Sequence, residues 1–344
     1  MEAFVNSIIV KIPEGWLGII LLLVIIIAAL YVLGKGADML VDEAVELSER
    51  SGVPKMLIGA TIVSLGTTLP EVTVSVVSAL KGSPDLALGN AVGSIICDTG
   101  LILGIAALIK PLPFKKSVVN RQGWIQLASG ILLVVTALIF ASGNVFKVGG
   151  HIPQGAGIFF LLLLVLYMVF TIKGAKGVIA EEPQVEIKDD NASIPLVVLK
   201  LFIGAALVIV ASNVLIPAVQ ELAIRAGIPQ TVIAATLVAF GTSLPELITS
   251  ITASRKGHGD LAIGNIMGAD ILNVLFVTGA AAAVTKGGLF VEPKFFTLLF
   301  PAMLFVLLVF KGSVIASKNH LKRGVGAVLL LAYLAVTVLS YVIA

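Results

Sequence analysis

Charge is what this chain of 344 residues has little of. Only 12% of its residues are Asp, Glu, Lys or Arg, about half the share of a soluble domain. That scarcity excludes a cytosolic enzyme and a disordered chain. The net charge of +3, spread over such a length, is no footprint of a polyanion-binding surface, so no nucleic-acid partner is expected. A single cysteine, Cys97, excludes an intramolecular disulfide and any multi-cysteine metal centre. Its simplest role is packing. Histidine is almost as scarce: His151, His258 and His320 all lie in polar connecting stretches. A buried zinc site or a histidine-based triad has little to draw on, and a membrane-embedded hydrolase would lack its base.

What is abundant is apolar sequence, 58% of the chain, with a mean hydropathy of +1.10. A spanning helix needs about 20 mostly apolar residues. Ten such stretches begin near Trp16, Pro54, Leu86, Trp124, Ala156, Ile194, Pro229, Leu261, Phe295 and Gly324. The segment before Trp16 carries Glu2, Lys11 and Glu14 and no small-residue cleavage site, so a removed signal peptide is not expected. Basic residues sort by side. Fifteen Lys and Arg, from Arg50 to Arg323, fall on the side reached after the first span, against six on the other (Lys11, Lys81, Lys147, Arg225, Lys286, Lys294). The bias places both termini outside and the acidic loop around Glu181–Asp190 in the cytoplasm. The basic stretches Lys110–Arg121 and Lys311–Arg323 read as topology determinants touching anionic lipid. The expected organisation is an extracellular segment 1–15, a first repeat 16–172, a cytoplasmic loop 173–193 and a second repeat 194–344, in a multi-pass protein of the plasma membrane.

The word "repeat" rests on a fixed offset. Gly52-Val-Pro54 returns as Gly227-Ile-Pro229, and Gly66-Thr-Thr-Leu-Pro-Glu71 as Gly241-Thr-Ser-Leu-Pro-Glu246. Asp85-Leu-Ala-Leu-Gly-Asn90 returns as Asp260-Leu-Ala-Ile-Gly-Asn265, and Gly93 as Gly268. Each pair is 175 residues apart, and 22 of the 53 positions from Gly52 to Gly104 are identical to their counterparts. With five spans per half, the second copy enters the membrane from the opposite face. Inverted repeats of this kind build secondary transporters, with the substrate site near the midplane where the copies meet.

The repeated residues suit a hard cation. Pro70 and Pro245 follow Gly66 and Gly241 by four in mid-span, where a missing N–H frees a helix carbonyl. In hydrocarbon such a carbonyl needs a polar partner. Glu71 and Glu246 come next, and an acid at membrane depth is a functional hypothesis by default. Together they carry about −2, the charge one divalent ion neutralises. The third spans add Asn90, Ser94 and Asp98 in one half and Asn265, Asp270 and Asn273 in the other. Carboxylate, carbonyl and hydroxyl oxygens are the ligands of calcium. Blander readings stand beside these. Pro kinks are common in membrane helices, and Thr68, Ser94 and Ser243 could bond their own backbone. Asp38 and Asp42, with Lys35, read as an ion-paired helix end.

At the two Gly-Thr-(Thr/Ser)-Leu-Pro-Glu and two Gly-Asn-x-x-Gly segments, the chain resembles the cation/calcium exchanger superfamily, and within it the prokaryotic sodium/calcium exchangers. The resemblance implies an all-α integral membrane fold: ten transmembrane helices as two inverted five-helix repeats, with broken second and third helices in each half. It implies exchange of Ca2+ for Na+ by alternating access, with no enzymatic activity and no cofactor beyond the transported ions. It also implies no obligate protein partner besides the lipid bilayer. Calcium would lie between Glu71, Glu246 and the carbonyls of Thr67 and Thr242. Sodium would use these same residues together with Ser64, Thr68, Ser94, Ala239 and Ser243, with Asp98 and Asn273 at the centre. Asp270, Asn90 and Asn265 are further candidates. The calcium/proton branch usually carries Gly-Asn-Ala-Thr-Glu where Gly66–Glu71 stands, yet proton exchange through Asp98 or Asp270 is the alternative within transport. A non-transporting calcium sensor is the alternative outside it. Three departures from the family pattern stand out. Ala269 lacks a hydroxyl expected at an outer sodium site. The central acid is Asp98 and the amide Asn273, the reverse of the frequent arrangement. No acid stands at Asn273, as potassium-dependent members would have.

Overall fold

Inside a bilayer the backbone has no water to bond, so an apolar segment satisfies its own amides by forming helix. The computed structural model, which describes residues 5, 8–9, 11–179, 193–227, 241–317 and 319–343, is accordingly almost all helix. Helix α1 runs Trp16–Ser51 and ends at Gly52, whose φ of +69° gives the left-handed cap. Helix α2 has two limbs, Lys55–Thr67 and Leu69–Leu80, bent by 44°. Then come α3 (Pro84–Ile109), α4 (Lys116–Ile139) and α5 (Gln154–Ile179). The second half has α6 (Ile194–Arg225), α7 (Leu244–Lys256), α8 (Gly259–Val284), α9 (Phe295–Ala316) and α10 (Arg323–Ile343). Seven described helices are long and apolar enough to cross a membrane, eight if the bent α2 counts as one span. The apolar stretch of α10 is shorter, Arg323–Leu339. The start of the seventh expected span, residues 229–240, lies outside the described residues.

Two expectations need correction. The third span of each half is not broken. Both α3 and α8 run continuously and widen instead into a π turn, at Cys97–Ile102 and Asn273–Thr278. Neither helix has an interior proline to force a break, so one extra residue per turn is absorbed without losing the helix. Helix α4 also begins at Lys116, about two turns before the apolar run at Trp124. Its polar first turns are covered by α9: Lys311 Nζ donates to the Asn120 carbonyl (2.7 Å) and to Asn120 Oδ1 (2.6 Å), and lies 4.3 Å from the Trp124 ring centre.

The layers follow from how much of each helix is apolar all round. In α8 every residue from Leu261 to Leu272 is buried, as expected of a helix wrapped by others. Helices α1, α5 and α6 lie outside, with many of their Leu, Ile and Val side chains exposed. Glycines set the closest approaches. A Cβ at Gly264 would stand 2.1 Å from the Met56 carbonyl oxygen, and one at Gly59 2.6 Å from that of Leu261. The first limb of α2 therefore meets α8 backbone to backbone. Helices α1 and α6 meet likewise, where a Cβ at Gly204 would be 2.7 Å from the Leu40 nitrogen.

Two short antiparallel pairs tie the halves. β1 (Leu112–Pro113), after α3, pairs with β4 (His320–Leu321), after α9. β2 (Gly150–Ile152), after α4, pairs with β3 (Leu289–Val291), after α8. The ends of α3 and α9 thus lie together, as do those of α4 and α8. At the end of α7, Lys256 Nζ bridges to Asp38 (3.0 Å) and Asp42 (2.9 Å) of α1. The ion-paired helix end is as expected, but its cation is Lys256 and not Lys35. Burial costs the ammonium there, and the Asp42 and Asp38 carboxylates outweigh it, holding its pKa above the usual lysine value.

Gly264→Ala should drive α2 and α8 apart. The expected loss is about 1–3 kcal/mol, read as a lower midpoint of thermal unfolding in detergent; an unchanged midpoint would contradict the backbone contact.

Candidate functional site

The bend in α2 is built differently from a proline kink. Thr68 N–H still closes on the Ser64 carbonyl (2.9 Å), and Val72 N–H bonds to the Thr68 carbonyl (3.2 Å). Pro70 lies in the first turn of the second limb, where no intrahelical N–H is required. Pro245 occupies the same place in α7. Each motif therefore opens a new helix inside the membrane and puts its glutamate in the first turn. Exposed amides and the helix dipole favour a carboxylate there.

Both glutamates are buried, each about 1% exposed, and the halves brace one another around them. Thr67 Oγ1 donates to Asn265 Oδ1 (3.5 Å), and its repeat counterpart Thr242 donates to Asn90 Oδ1 (3.2 Å). Asn90 Nδ2 in turn donates to the Glu71 carbonyl (3.2 Å) and to Ser75 Oγ (3.0 Å). Asn265 Nδ2 donates to Ser250 Oγ (3.4 Å). The threonine–asparagine and asparagine–serine bonds repeat in both halves. Asn90 and Asn265 thus stand behind the glutamates as braces. Thr68 Oγ1 donates to Glu246 Oε1 (3.4 Å) across the same interface, so Thr68 does not merely bond its own helix.

Many of the remaining oxygens are buried without a partner. Both carboxylate oxygens of Glu71 are, as are Glu246 Oε2, Asp98 Oδ1, the hydroxyls of Ser94 and Ser243, and both side-chain polar atoms of Asn273. Glu71 feels the charge of Glu246 and Asp98, and Asp98 that of Glu246 and Asp270. Among the described residues none of these acids has a Lys, Arg or His partner. Buried, mutually repelling carboxylates without counter-charge are strongly unfavourable, so the arrangement calls for cations. Among the described residues no three of His, Cys, Asp and Glu converge to hold a metal by themselves. A cation here must complete its shell with hydroxyl, amide and carbonyl oxygens.

Other expected residues sit less centrally. Ser64 bonds the Thr61 carbonyl (3.3 Å), and its hydroxyl occupies space that a side chain at Gly268 would need. Ala239 lies outside the described residues. Ala269, the repeat counterpart of Ser94, is fully buried and offers no side-chain oxygen. Asp270 turns aside: its Oδ2 accepts from Thr99 Oγ1 and Gln126 Nε2, both at 2.5 Å. Thr99 and Gln126 are absent from the sequence-based set. Their signal was a polar residue within an apolar run, with Gln122 and Gln126 one turn apart on α4.

The sodium/calcium exchanger protein family model matches the chain twice, at residues 21–173 and 196–342. The chain belongs to the sodium/calcium exchanger family. It is 35% identical over 311 residues to the inner membrane protein YrbG of Escherichia coli (strain K12), covering 89% of this chain and 92% of that one. It is 27% identical over 347 residues to the sodium/calcium exchanger MaX1 of Methanosarcina acetivorans, covering 93% and 98%. A solved structure of the sodium-calcium exchanger NCX_Mj, soaked with 10 mM Na+ and zero Ca2+, superposes with a TM-score of 0.75. The identity there is 26%, over 92% of this chain and 98% of that one. An exchanger family is one of membrane transporters, and the several membrane-length helices agree.

Asn90→Ala would remove the acceptor of the Thr242 hydroxyl and the amide that bonds Ser75 and the Glu71 carbonyl. Removing one partner of a buried bond costs about 1–3 kcal/mol. Lower thermal stability in detergent is expected, with Ser75→Ala the milder of the two changes.

Proposed function

We propose that the protein is a secondary antiporter exchanging Ca2+ for Na+ across the plasma membrane by alternating access. The observation that carries this reading is the pair Glu71 and Glu246, buried, without counter-charge among the described residues and braced from opposite halves. One calcium neutralises the pair, with the Thr67 and Thr242 carbonyls completing a cage of hard oxygens. Sodium ions occupy the same region in its place. Their ligands are drawn from Thr67, Thr242, Ser64, Thr68, Ser94, Ala239, Ser243 and the two glutamates, with Asp98 and Asn273 at the centre. The transported ions are the only small molecules required, without a cofactor.

In the same reading the chain has ten spans in two inverted five-helix repeats, 16–172 and 194–344. Segment 1–15 is extracellular and loop 173–193 cytoplasmic, with both termini outside. Support comes from the basic residues and from the strand pairs, which join ends that this topology puts on one face: α3 with α9, and α4 with α8. The α1–α6 pair slides past the remaining helices to open the site on one side or the other. An empty site leaves acids unneutralised in low dielectric, so the empty crossing is disfavoured and exchange is enforced.

Glu71→Gln and Glu246→Gln should each abolish sodium-gradient-driven uptake of calcium-45 into proteoliposomes. Normal flux in both variants would remove the site assignment. Ala269→Ser should steepen the dependence of flux on sodium by restoring the missing hydroxyl; an unaltered dependence would dismiss that role.

The second reading is calcium/proton exchange, and Asp270 favours it: a buried acid with no cation partner among the described residues, bonded to Thr99 and Gln126. A pH gradient in sodium-free vesicles separates the two. Calcium uptake under that gradient alone supports the second reading, and its absence supports the first.

A further inference from the structure

Between α4 and α5 lies a groove of about 590 Å³ that no part of the ion site uses. Its walls are Ile125, Ala128 and Leu132 on one side and Leu163, Leu166 and Phe170 on the other, with Leu275 of α8 at the floor. Apart from Lys173 at one end, two polar side chains line it, and both are spent elsewhere. Ser129 Oγ donates to the Gln126 carbonyl (2.7 Å), and Tyr167 Oη donates to the Ala60 carbonyl of α2 (3.0 Å). The interior therefore offers water no free polar partner, and an apolar filling is favoured.

The length and the ends of the groove identify that filling. From Leu163 to Lys173 it follows α5 for about 15 Å, at 1.5 Å per residue. That is half of a hydrocarbon core about 30 Å thick, the depth of a single leaflet. At one end stand two basic groups. Lys173 is exposed and lines the groove. Arg121 lays its guanidinium over the Phe170 ring at 4.7 Å, and its Nη2 is buried without a hydrogen-bond partner. Among the described residues, neither has a carboxylate partner. An apolar slot one leaflet deep, with two unpaired cations at its mouth, is complementary to a lipid with a negative headgroup.

We propose that the α4–α5 groove binds one anionic glycerophospholipid, an acyl chain lying along the slot and the phosphate held by Arg121 and Lys173. Membrane insertion of α4 and α5 is required; ion selectivity and direction of transport are not. Two basic groups at a membrane surface add attraction enough for a preference of about tenfold.

The full-length protein, purified in detergent, would be titrated with phosphatidylglycerol, phosphatidylcholine or palmitic acid and weighed by native mass spectrometry. One phosphatidylglycerol per protomer should be retained about tenfold more tightly than phosphatidylcholine. The double variant R121Q/K173Q should erase that preference, and A128W, which fills the slot, should displace both lipids. Should A128W fail to fold, the charge variant alone decides. Equal retention of the two phospholipids by the unaltered protein would overturn the proposal. So would an unchanged preference in R121Q/K173Q, retention of palmitic acid as tight as that of phosphatidylglycerol, or a groove closed by a second copy of the chain. Calcium-45 flux, measured in parallel, keeps a failure here distinct from a failure of the exchange reading.

Discussion

A carboxylate in hydrocarbon is tolerated only where something repays the water it has lost, and Glu71, Glu246 and Asp98 share one interior with no protein cation beside them among the described residues. Much of the central architecture answers that constraint. The motif prolines open new helices so that each glutamate lies in a first turn, at the positive end of the helix dipole. The threonine and asparagine of opposite halves then hold the two openings against each other. With the acids fixed in place and unable to relax toward solvent, the proposed function has their repulsion relieved by a cation arriving from outside.

Glycine makes that placement possible. A helix carrying a polar motif has to come close enough to its neighbour for short side chains to bond across, and a threonine reaches only a few ångströms. Gly59 and Gly264 bring α2 and α8 into backbone contact, which is why Thr67 can reach Asn265. The same small residues make the interface intolerant of any added carbon.

Much of this was legible in the amino-acid sequence because a duplicated sequence reports on itself. Glu71 and Glu246 stood out as acids in apolar runs at a fixed offset, and their pairing was readable without coordinates. Asn90 and Asn265 were found for the same reason, but not their work as braces, since the bonds cross between halves and span 152 and 198 positions. Thr99 and Gln126 could not be found by the repeat at all. Their counterparts 175 positions on are Val274 and Pro301, so the cluster at Asp270 breaks the symmetry that made the rest visible. The resemblance implied breaks in α3 and α8 where the structure has π turns, whose one extra residue per turn leaves the helix continuous. The early start of α4 was hidden by its polar first turns, whose cover comes from a distant lysine on α9.

The strand pairs carry an implication about the molecule's descent and assembly. β1 belongs to the first half and finds its partner in the second, and β3 belongs to the second and finds its partner in the first. The threonine–asparagine bonds are exchanged in the same reciprocal way. Neither half completes its own hydrogen bonds or closes its own end, so a five-helix piece alone would be an unfinished surface seeking another of its kind. In the proposed five-plus-five organisation, the two halves relate to one another as two subunits of a dimer would.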